Sequence, residues 1–190
     1  MSGHAVIAEV GTFLVGLLKR GTDGVPANDS GPVLLANPKK AREQNAKLSL
    51  WLYSIVPNEH LRNAANMRIR RDDDEKIQFP PLALNLHYLL TPMLKDDREC
   101  QQLLGRAMQI LNDSAVVLFT GTEADPEELH ISLEQHSIQE LSEVWEALQE
   151  PYQLSVCYGV RVVRIPSGRE LDAGRVHERS TEFKRVEATS

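Results

Sequence analysis

The chain has 190 residues, a formal net charge of -6, 42% hydrophobic residues and 25% charged residues. This length and composition predict one soluble globular domain with enough residues for a sizeable core. The acidic balance disfavours general nucleic-acid binding, which needs a concentrated basic face, although it leaves room for a local basic patch.

Cysteine use and the N-terminal residues bear on where the chain works. Its two cysteines, Cys100 and Cys157, share no short spacing, which disfavours a zinc site or a redox pair. We expect both to be plain buried thiols in a protein made in a reducing cytosol. The apolar stretch near the N-terminus is short and contains Glu9, so it predicts neither a signal peptide nor a membrane span.

The first predicted elements are a helix and a short strand. Apolar residues recur at helical spacing over residues 4–19, which predicts an amphipathic helix. Residues 21–31 are rich in Gly, Asp, Asn and Pro and predict a loop. A short strand is expected over residues 33–36, ended by Asn37-Pro38.

Two long strands are predicted in the middle of the chain, at residues 48–56 and 82–91. Both have apolar side chains on both faces near their ends, so we expect strands covered on two faces by helices or by another subunit. In the first strand the predicted faces are Leu50, Leu52 and Val56 against Trp51, Tyr53 and Ile55. Between the strands, the charged block of residues 68–76 is interpreted as a solvated hairpin tip in preference to a ligand site.

The second half of the chain alternates helices and strands. One helix is predicted to start at Asp96, with Glu99 at capping-box spacing, and another at Ser137, with Glu140 completing a Ser-x-x-Glu box. A short apolar stretch, a brief strand, a long strand and a polar tail are expected at residues 116–119, 130–133, 152–165 and 166–190. This order predicts an α+β (mixed α/β) fold, in which about three helices pack on a largely antiparallel sheet.

The sequence predicts no catalytic, cofactor-binding or metal-binding residues, and hence no enzyme. Gly11 and Gly16 have the glycine spacing of a phosphate-binding loop, but Leu17 stands in place of the lysine. No Gly-x-Ser-x-Gly turn is present, and both cysteines fall in buried patterns. The six histidines lack metal-binding spacing, and His87, in the middle of a strand, is interpreted as a structural or interface histidine. Neighbouring arginines weaken the attraction of residues 72–74 for a cation.

Six motifs in one order point to a family: SLWLY at residues 49–53, NEHLRN at 58–63, PPLALNLHYLLT at 80–91, LLG at 103–105, WEAL at 145–148 and LSVCYGVR at 154–161. Together they resemble the N-terminal domain of the tail-terminator, or cap, proteins of extracellular contractile injection systems. These systems are phage-tail-like particles of the virulence-cassette and antifeeding-prophage type. The resemblance covers about residues 4–166.

The resemblance implies a structural, non-enzymatic protein with a phage tail-terminator-like fold. Such caps form a six-fold ring at the end of the tail distal to the baseplate, stop growth of the inner tube and anchor the last layer of the sheath. The implied partners are other copies of the chain in a homo-hexamer, a sheath protein and an inner-tube protein. No cofactor, nucleic acid or membrane is implied. Assembly is expected in the cytoplasm, in a particle that can be released. Residues 1–166 are expected to form the terminator domain and residues 167–190 an interface arm.

A ring subunit needs two different patches that close on each other, and an edge strand can accept a strand from a partner. We expect this edge to be the strand at residues 152–165 or the first hairpin, with residues 68–76 and the tail as further contacts. Two other functions stay open. One is a ligand-binding domain that uses residues 58–63, and the other is a hydrolase built from scattered His and Asp residues such as His60 and His87.

Overall fold

Two compact units make up the chain in the computed structural model, which describes residues 5–26, 31–61, 67–71, 74–121, 126–167 and 169–172. The first unit contains Met1–Asn63 and Pro81–Pro166, and the second contains Ala64–Pro80 and Ser167–Ser190. Most of the predicted C-terminal arm, from residue 173 onward, lies outside the described residues.

Thirteen elements occur among the described residues. In chain order they are α1 (Val6–Gly21), β1 (Val33–Leu35), α2 (Pro38–Glu43), β2 (Leu48–Pro57), β3 (Met67–Arg71), β4 (Asp74–Gln78), β5 (Leu82–Pro92), α3 (Asp97–Asp113), β6 (Val116–Phe119), β7 (Glu127–Glu134), α4 (Ile138–Ala147), β8 (Val156–Ile165) and β9 (Glu170–Asp172). None of the helices in the described ranges is long and apolar enough to cross a membrane.

A six-stranded sheet forms the centre of the first unit. Its strand order is β1-β2-β5-β8-β7-β6, and each neighbouring pair is antiparallel except β1 with β2, which is parallel. Three substantial helices, α1, α3 and α4, accompany this sheet. The structure therefore confirms the predicted α+β class with a largely antiparallel sheet.

Capping interactions define the starts of α3 and α4, as predicted. The Asp96 carboxylate accepts a hydrogen bond from the Glu99 N–H at 2.9 Å. Ser137 and Glu140 form the complete reciprocal capping box of α4. The backbone N–H of Ser137 and then its hydroxyl lower the pKa of Glu140, because both stabilise the ionised carboxylate.

The short helix α2 is not predicted by the sequence pattern. Asn37-Pro38 ends β1 as expected, but the Asn37 side chain also accepts a hydrogen bond from the Lys40 N–H at 2.8 Å and begins a new helix. Pro38 suits the first helical turn, where its missing N–H costs nothing. Six residues are too few to show a helical period.

One face of the sheet is covered by α1 and α3 and holds the main core. We call it the α1/α3 face. Its buried apolar side chains come from both helices and from most strands, and they include Val10, Leu14, Leu18, Leu50, Leu84, Leu86, Tyr88, Leu90, Leu103, Leu111, Leu129, Val160 and Val163. In β5, alternate residues from Leu84 to Leu90 belong to this core, as the period-2 pattern of a strand requires.

The opposite face, which we call the α4 face, has a smaller core. Trp145 of α4 is 1% exposed and packs with Leu89 of β5 and Cys157 of β8. The Trp145 indole N–H donates a hydrogen bond to the Ser155 hydroxyl at 3.1 Å, which satisfies its polar atom. The expectation that helices cover both faces of the central strands is confirmed.

A β-bulge in β2 changes which side chains face the main core. Between Leu52 and Ser54 the pairing with β5 shifts by one residue, so that Ile55 stands opposite the buried Leu86. Ile55 therefore lies on the α1/α3 face and Val56 on the α4 face. The predicted assignment of these two residues is wrong, because one inserted residue reverses the alternation beyond it.

The second unit contains a three-stranded antiparallel sheet in the order β3-β4-β9. The charged block of residues 68–76 contributes the paired strands β3 and β4, which agrees with the predicted hairpin, while residues 72 and 73 lie outside the described residues. The Arg169 guanidinium lies 4.6 Å from the centroid of the Phe79 ring, a cation–π contact within this unit.

Candidate assembly surfaces

The edges of the six-stranded sheet differ from those predicted. β8 is paired with β5 on one side and with β7 on the other, and β2 and β5 are also interior strands. The prediction that residues 152–165 or the first hairpin form the docking edge is therefore wrong. Apolar residues on both faces of a strand indicate that it is covered above and below, but they do not indicate which strands lie beside it.

β1 and β6 are the edge strands of this sheet in the described part of the chain. In β6, Val116 and Leu118 are 56% and 68% exposed. In β1, Leu35 is 44% exposed. An edge strand presents unpaired backbone N–H and C=O groups, and exposed apolar side chains on it favour pairing with another chain.

A polar cluster lies on the α4 face beside the small core. Glu134 of β7 accepts a hydrogen bond from Nδ1 of His87 in β5 at 2.7 Å, although β8 lies between these two strands. The carboxylate reaches across Gly159 of β8, which stands opposite His87. A Cβ atom at residue 159 would lie 2.9 Å from Cδ of Glu134, so glycine leaves the room that this contact needs.

The cluster continues from β7 to the start of α4. Nε2 of His136 lies 3.6 Å from the Glu134 carboxylate and 3.4 Å from the Tyr53 hydroxyl, and its Nδ1 lies 3.8 Å from the Glu140 carboxylate. The side chains of His87, Glu134 and His136 are 20%, 13% and 26% exposed. Such partly buried polar contacts fix the β7–α4 connection against the central strands.

The chemistry of this cluster is that of a structural network. Burial, the largest effect, raises the pKa of the Cys157 thiol, so the thiol stays protonated near neutral pH and is a poor nucleophile. No set of His, Cys, Asp and Glu within the described ranges is arranged to hold a metal ion. His87 has a carboxylate partner, as expected for a structural histidine, and the hydrolase hypothesis gains no support.

Both cysteines are free thiols, and only one is fully buried. Cys157 is buried as predicted. Cys100 is partly buried because it lies in the first turn of α3, where its thiol donates to the carbonyl of Leu94 at 3.5 Å. Desolvation by burial raises the pKa of this thiol as well.

Asn58 stabilises the start of the connector at residues 58–63, which the ligand-binding hypothesis takes as its site. Its Oδ1 accepts hydrogen bonds from the N–H groups of His60 and Leu61 at 3.1 and 3.2 Å, and its Nδ2 donates to Asn85 at 3.0 Å. Asn58 is 7% exposed, so its amide serves the local turn and is not presented to a ligand. Residues 62 and 63 lie outside the described residues.

A shallow depression of about 640 Å³ lies between α1 and the end of β6. Phe13 and Phe119 meet there edge to face, with their ring centroids 5.6 Å apart. The small residues beside them are Ala5, which precedes α1, and Ala8, Thr12 and Gly16 of α1. Gly11 and Gly16 both lie within α1, as the predicted helix requires.

The first unit is thus an α+β domain whose six-stranded sheet ends in the edge strands β1 and β6. The family model described as the Pvc16 N-terminal domain matches residues 9–179. Since this match covers most of the sequence, the chain belongs to the Pvc16 N-terminal domain family. The resemblance drawn from the six motifs is confirmed. No curated protein matches the sequence.

Two structures solved by cryo-EM share the fold. The sheath/tube terminator of an extracellular contractile injection system, PVC, in its extended state, has a TM-score of 0.68 and 17% identity over 97% of this chain and 65% of that chain. The tube-terminating cap of the anti-feeding prophage, AFP, has a TM-score of 0.59 and 16% identity over 87% of this chain and 60% of that chain. The chain thus spans less than two thirds of the length of either relative. The predicted tail-terminator-like fold is confirmed.

Proposed function

We propose that this chain is a cap that terminates the inner tube and anchors the last sheath layer of an extracellular contractile injection system, and that it acts as a hexameric ring. The family match over residues 9–179 carries this proposal. The fold that the chain shares with the PVC terminator and the AFP cap supports it.

The physical basis of capping is shape and backbone pairing. A closed ring needs two different surfaces on each subunit that join head to tail, and the first unit has two different sheet edges, β1 and β6. The partners of the chain are then its own copies, the inner-tube protein and the sheath protein, without a cofactor, nucleic acid or membrane. Assembly takes place in the cytoplasm, in a particle that is released from the cell.

The C-terminal arm is a separate part of the proposal. Residues 1–166 form the terminator domain, and residues 167–190 reach a neighbouring molecule. The second unit joins β9 of this arm to the β3–β4 hairpin, so the two charged segments proposed as contacts already share one small sheet. A chain that ends at Ser167 tests the arm without touching the six-stranded sheet.

Particles assembled without this chain test the proposal. Electron microscopy should show overlong, unsheathed or unstable tubes, because nothing stops tube growth or holds the final sheath layer. Supplying the intact chain should restore tubes of uniform length, and supplying the chain that ends at Ser167 should restore fewer. Normal particles in the absence of the chain contradict the proposal.

A further inference from the structure

We propose that the cap ring closes by pairing the β6 edge of one copy with the β1 edge of the next copy. This inference rests on the proposed function and identifies the ring contact within it. The partner is a second copy of this chain, and the two surfaces are the two free edges of the six-stranded sheet.

The direction of the strands suits a ring. β1 runs parallel to β2, and four antiparallel steps lead from β2 through β5, β8 and β7 to β6, so β6 runs in the same direction as β1. A head-to-tail contact that continues the sheet, with the usual twist between neighbouring strands, keeps this sense. The edge of the next copy therefore meets β6 as a parallel pair, the arrangement that β1 already has with β2.

The two edges are also matched in length. β6 has four residues and β1 has three, so a short run of main-chain hydrogen bonds can form along the whole contact. The exposed side chains of Val116 and Leu118 lie beside this run and lose apolar surface to water when the strands pair. So short a ladder needs a second source of attraction.

Opposite charge supplies that attraction. The helix α2, which follows β1 in the chain and packs against β2, carries three cations, Lys39, Lys40 and Arg42, against one anion, Glu43. Beside β6, the β7 strand and the end of α3 carry carboxylates, and the sequence contains no lysine or arginine between Arg106 and Arg161.

The exposed charges near the two edges favour one combination of edges. Arg42 is engaged with Glu150 at 2.8 Å, which leaves Lys39 and Lys40 as the exposed cations of α2. Near the other edge, Glu128 is exposed and lies on β7 opposite Leu118, with its carboxylate 3.2 Å from Nε2 of His130. Like charges disfavour pairing of β6 with β6 or of β1 with β1, and the head-to-tail contact is the combination that this pattern favours.

Cysteine cross-linking within assembled particles tests the contact. Neighbouring strands lie about 5 Å apart, which is within disulfide range. A chain that carries Leu34→Cys and Leu118→Cys should, after oxidation and denaturation, run as covalent multimers up to the full ring. The pair Leu34→Cys with Val116→Cys covers the alternative register. The three chains that carry only one of these new cysteines, each with Cys100 and Cys157 still present, serve as controls and should show no multimers.

The outcomes separate this inference from the proposed function. If the chain is seen as rings at tube ends but neither double variant forms multimers, the edge pairing is wrong and the capping function stands. If Leu118→Cys alone gives dimers, β6 meets β6 and the head-to-tail contact is wrong. If no copy of the chain is found at tube ends, the proposed function itself fails.

Charge reversal tests the attraction by itself. The pair Lys39→Glu with Lys40→Glu should lose capped tubes, and so should Glu128→Lys, whereas combining the two reversals should restore them. Glu146→Lys, an exposed change on α4, is the matched control and should leave capping unchanged. Failure of the combined variant to recover capped tubes while the cross-links still form would show that charge does not guide the contact.

Discussion

The two faces of the six-stranded sheet are stabilised in different ways. The α1/α3 face buries a continuous apolar core to which two helices and most strands contribute, so its stability is spread over many side chains. The α4 face has an apolar cluster of Leu89, Trp145 and Cys157 and relies on the contact of Glu134 with His87 beside it. Losing one side chain should therefore destabilise the α1/α3 face without freeing a helix, whereas on the α4 face it should loosen α4.

The largest effect is expected for Trp145→Ala on the α4 face. Removing this indole should lower the free energy of unfolding by about 3–5 kcal/mol and loosen α4, because Trp145 is the fully buried side chain of that helix, while its other apolar side chains are only partly buried. Denaturant unfolding gives the free energy, and hydrogen exchange of α4 shows the loosening. The matched change Leu86→Ala should cost about 2–5 kcal/mol without selective exchange in α4. Equal exchange of α4 in both variants would contradict the comparison.

A smaller loss is expected from breaking the polar contact of the same face. Glu134→Gln should lower the free energy of unfolding by about 1–3 kcal/mol, since the partly buried hydrogen bond from His87 to the Glu134 carboxylate is weakened. Gly159→Ala should act on the same contact by displacing the carboxylate from His87. The double variant should therefore lose less than the sum of the single variants. If the two losses add, Gly159 does not act through the contact between Glu134 and His87.

Tyrosine changes should have opposite signs on the two faces. The Tyr88 hydroxyl is buried in the main core and finds no hydrogen-bond partner among the described residues. Tyr88→Phe should raise the free energy of unfolding by about 1 kcal/mol, because it removes an unsatisfied polar group. Tyr53→Phe should lower it by about as much, since Tyr53 loses its contact with His136. Losses in both variants would show that Tyr88 has a partner.

Alkaline pH should weaken the fold first through its thiols and then through its buried tyrosines. Burial raises the pKa of the thiols of Cys157 and Cys100 and of the hydroxyls of Tyr88 and Tyr158. These groups stay neutral in the folded chain. Their contribution to the free energy of unfolding is therefore complete below their unfolded pKa values and is lost as pH rises beyond those values. The decline should begin near pH 8.5 for thiols and near pH 10 for tyrosines, as these are about the unfolded values.

A cysteine-free chain isolates the thiol contribution to this pH dependence. In the variant with Cys100→Ala and Cys157→Ala, the free energy of unfolding should stay level until about pH 10, where the tyrosines begin to ionise when unfolded. The measurement is denaturant unfolding at a series of pH values. An unchanged decline from about pH 8.5 in this variant would assign the effect to other groups.

Local patterns in the sequence predict single elements well. Helical spacing and capping residues such as Asp96 and Ser137 locate α3 and α4, and the alternation of β5 identifies its core side. These signals depend only on neighbouring residues. The order of the strands depends on distant residues, because several strands with the same pattern fit the same place in a sheet. β8 is interior because it pairs with β5 on one side and β7 on the other.

Long-range contacts account for the rest of what sequence reasoning misses. The bulge after Leu52 reverses the faces of Ile55 and Val56, and nothing in the local alternation announces it. His87 and Glu134 are 47 residues apart and meet only because β8 lies between their strands. The one available hint is Gly159, since a glycine inside a strand often marks close approach of another group.

Cryo-EM of the intact particle tests the capping role most directly. The account predicts six copies of this chain in a closed ring on the tube end distal to the baseplate, in contact with the last sheath layer. A distal end built from other proteins alone, with this chain absent or seated elsewhere along the tube, would contradict it.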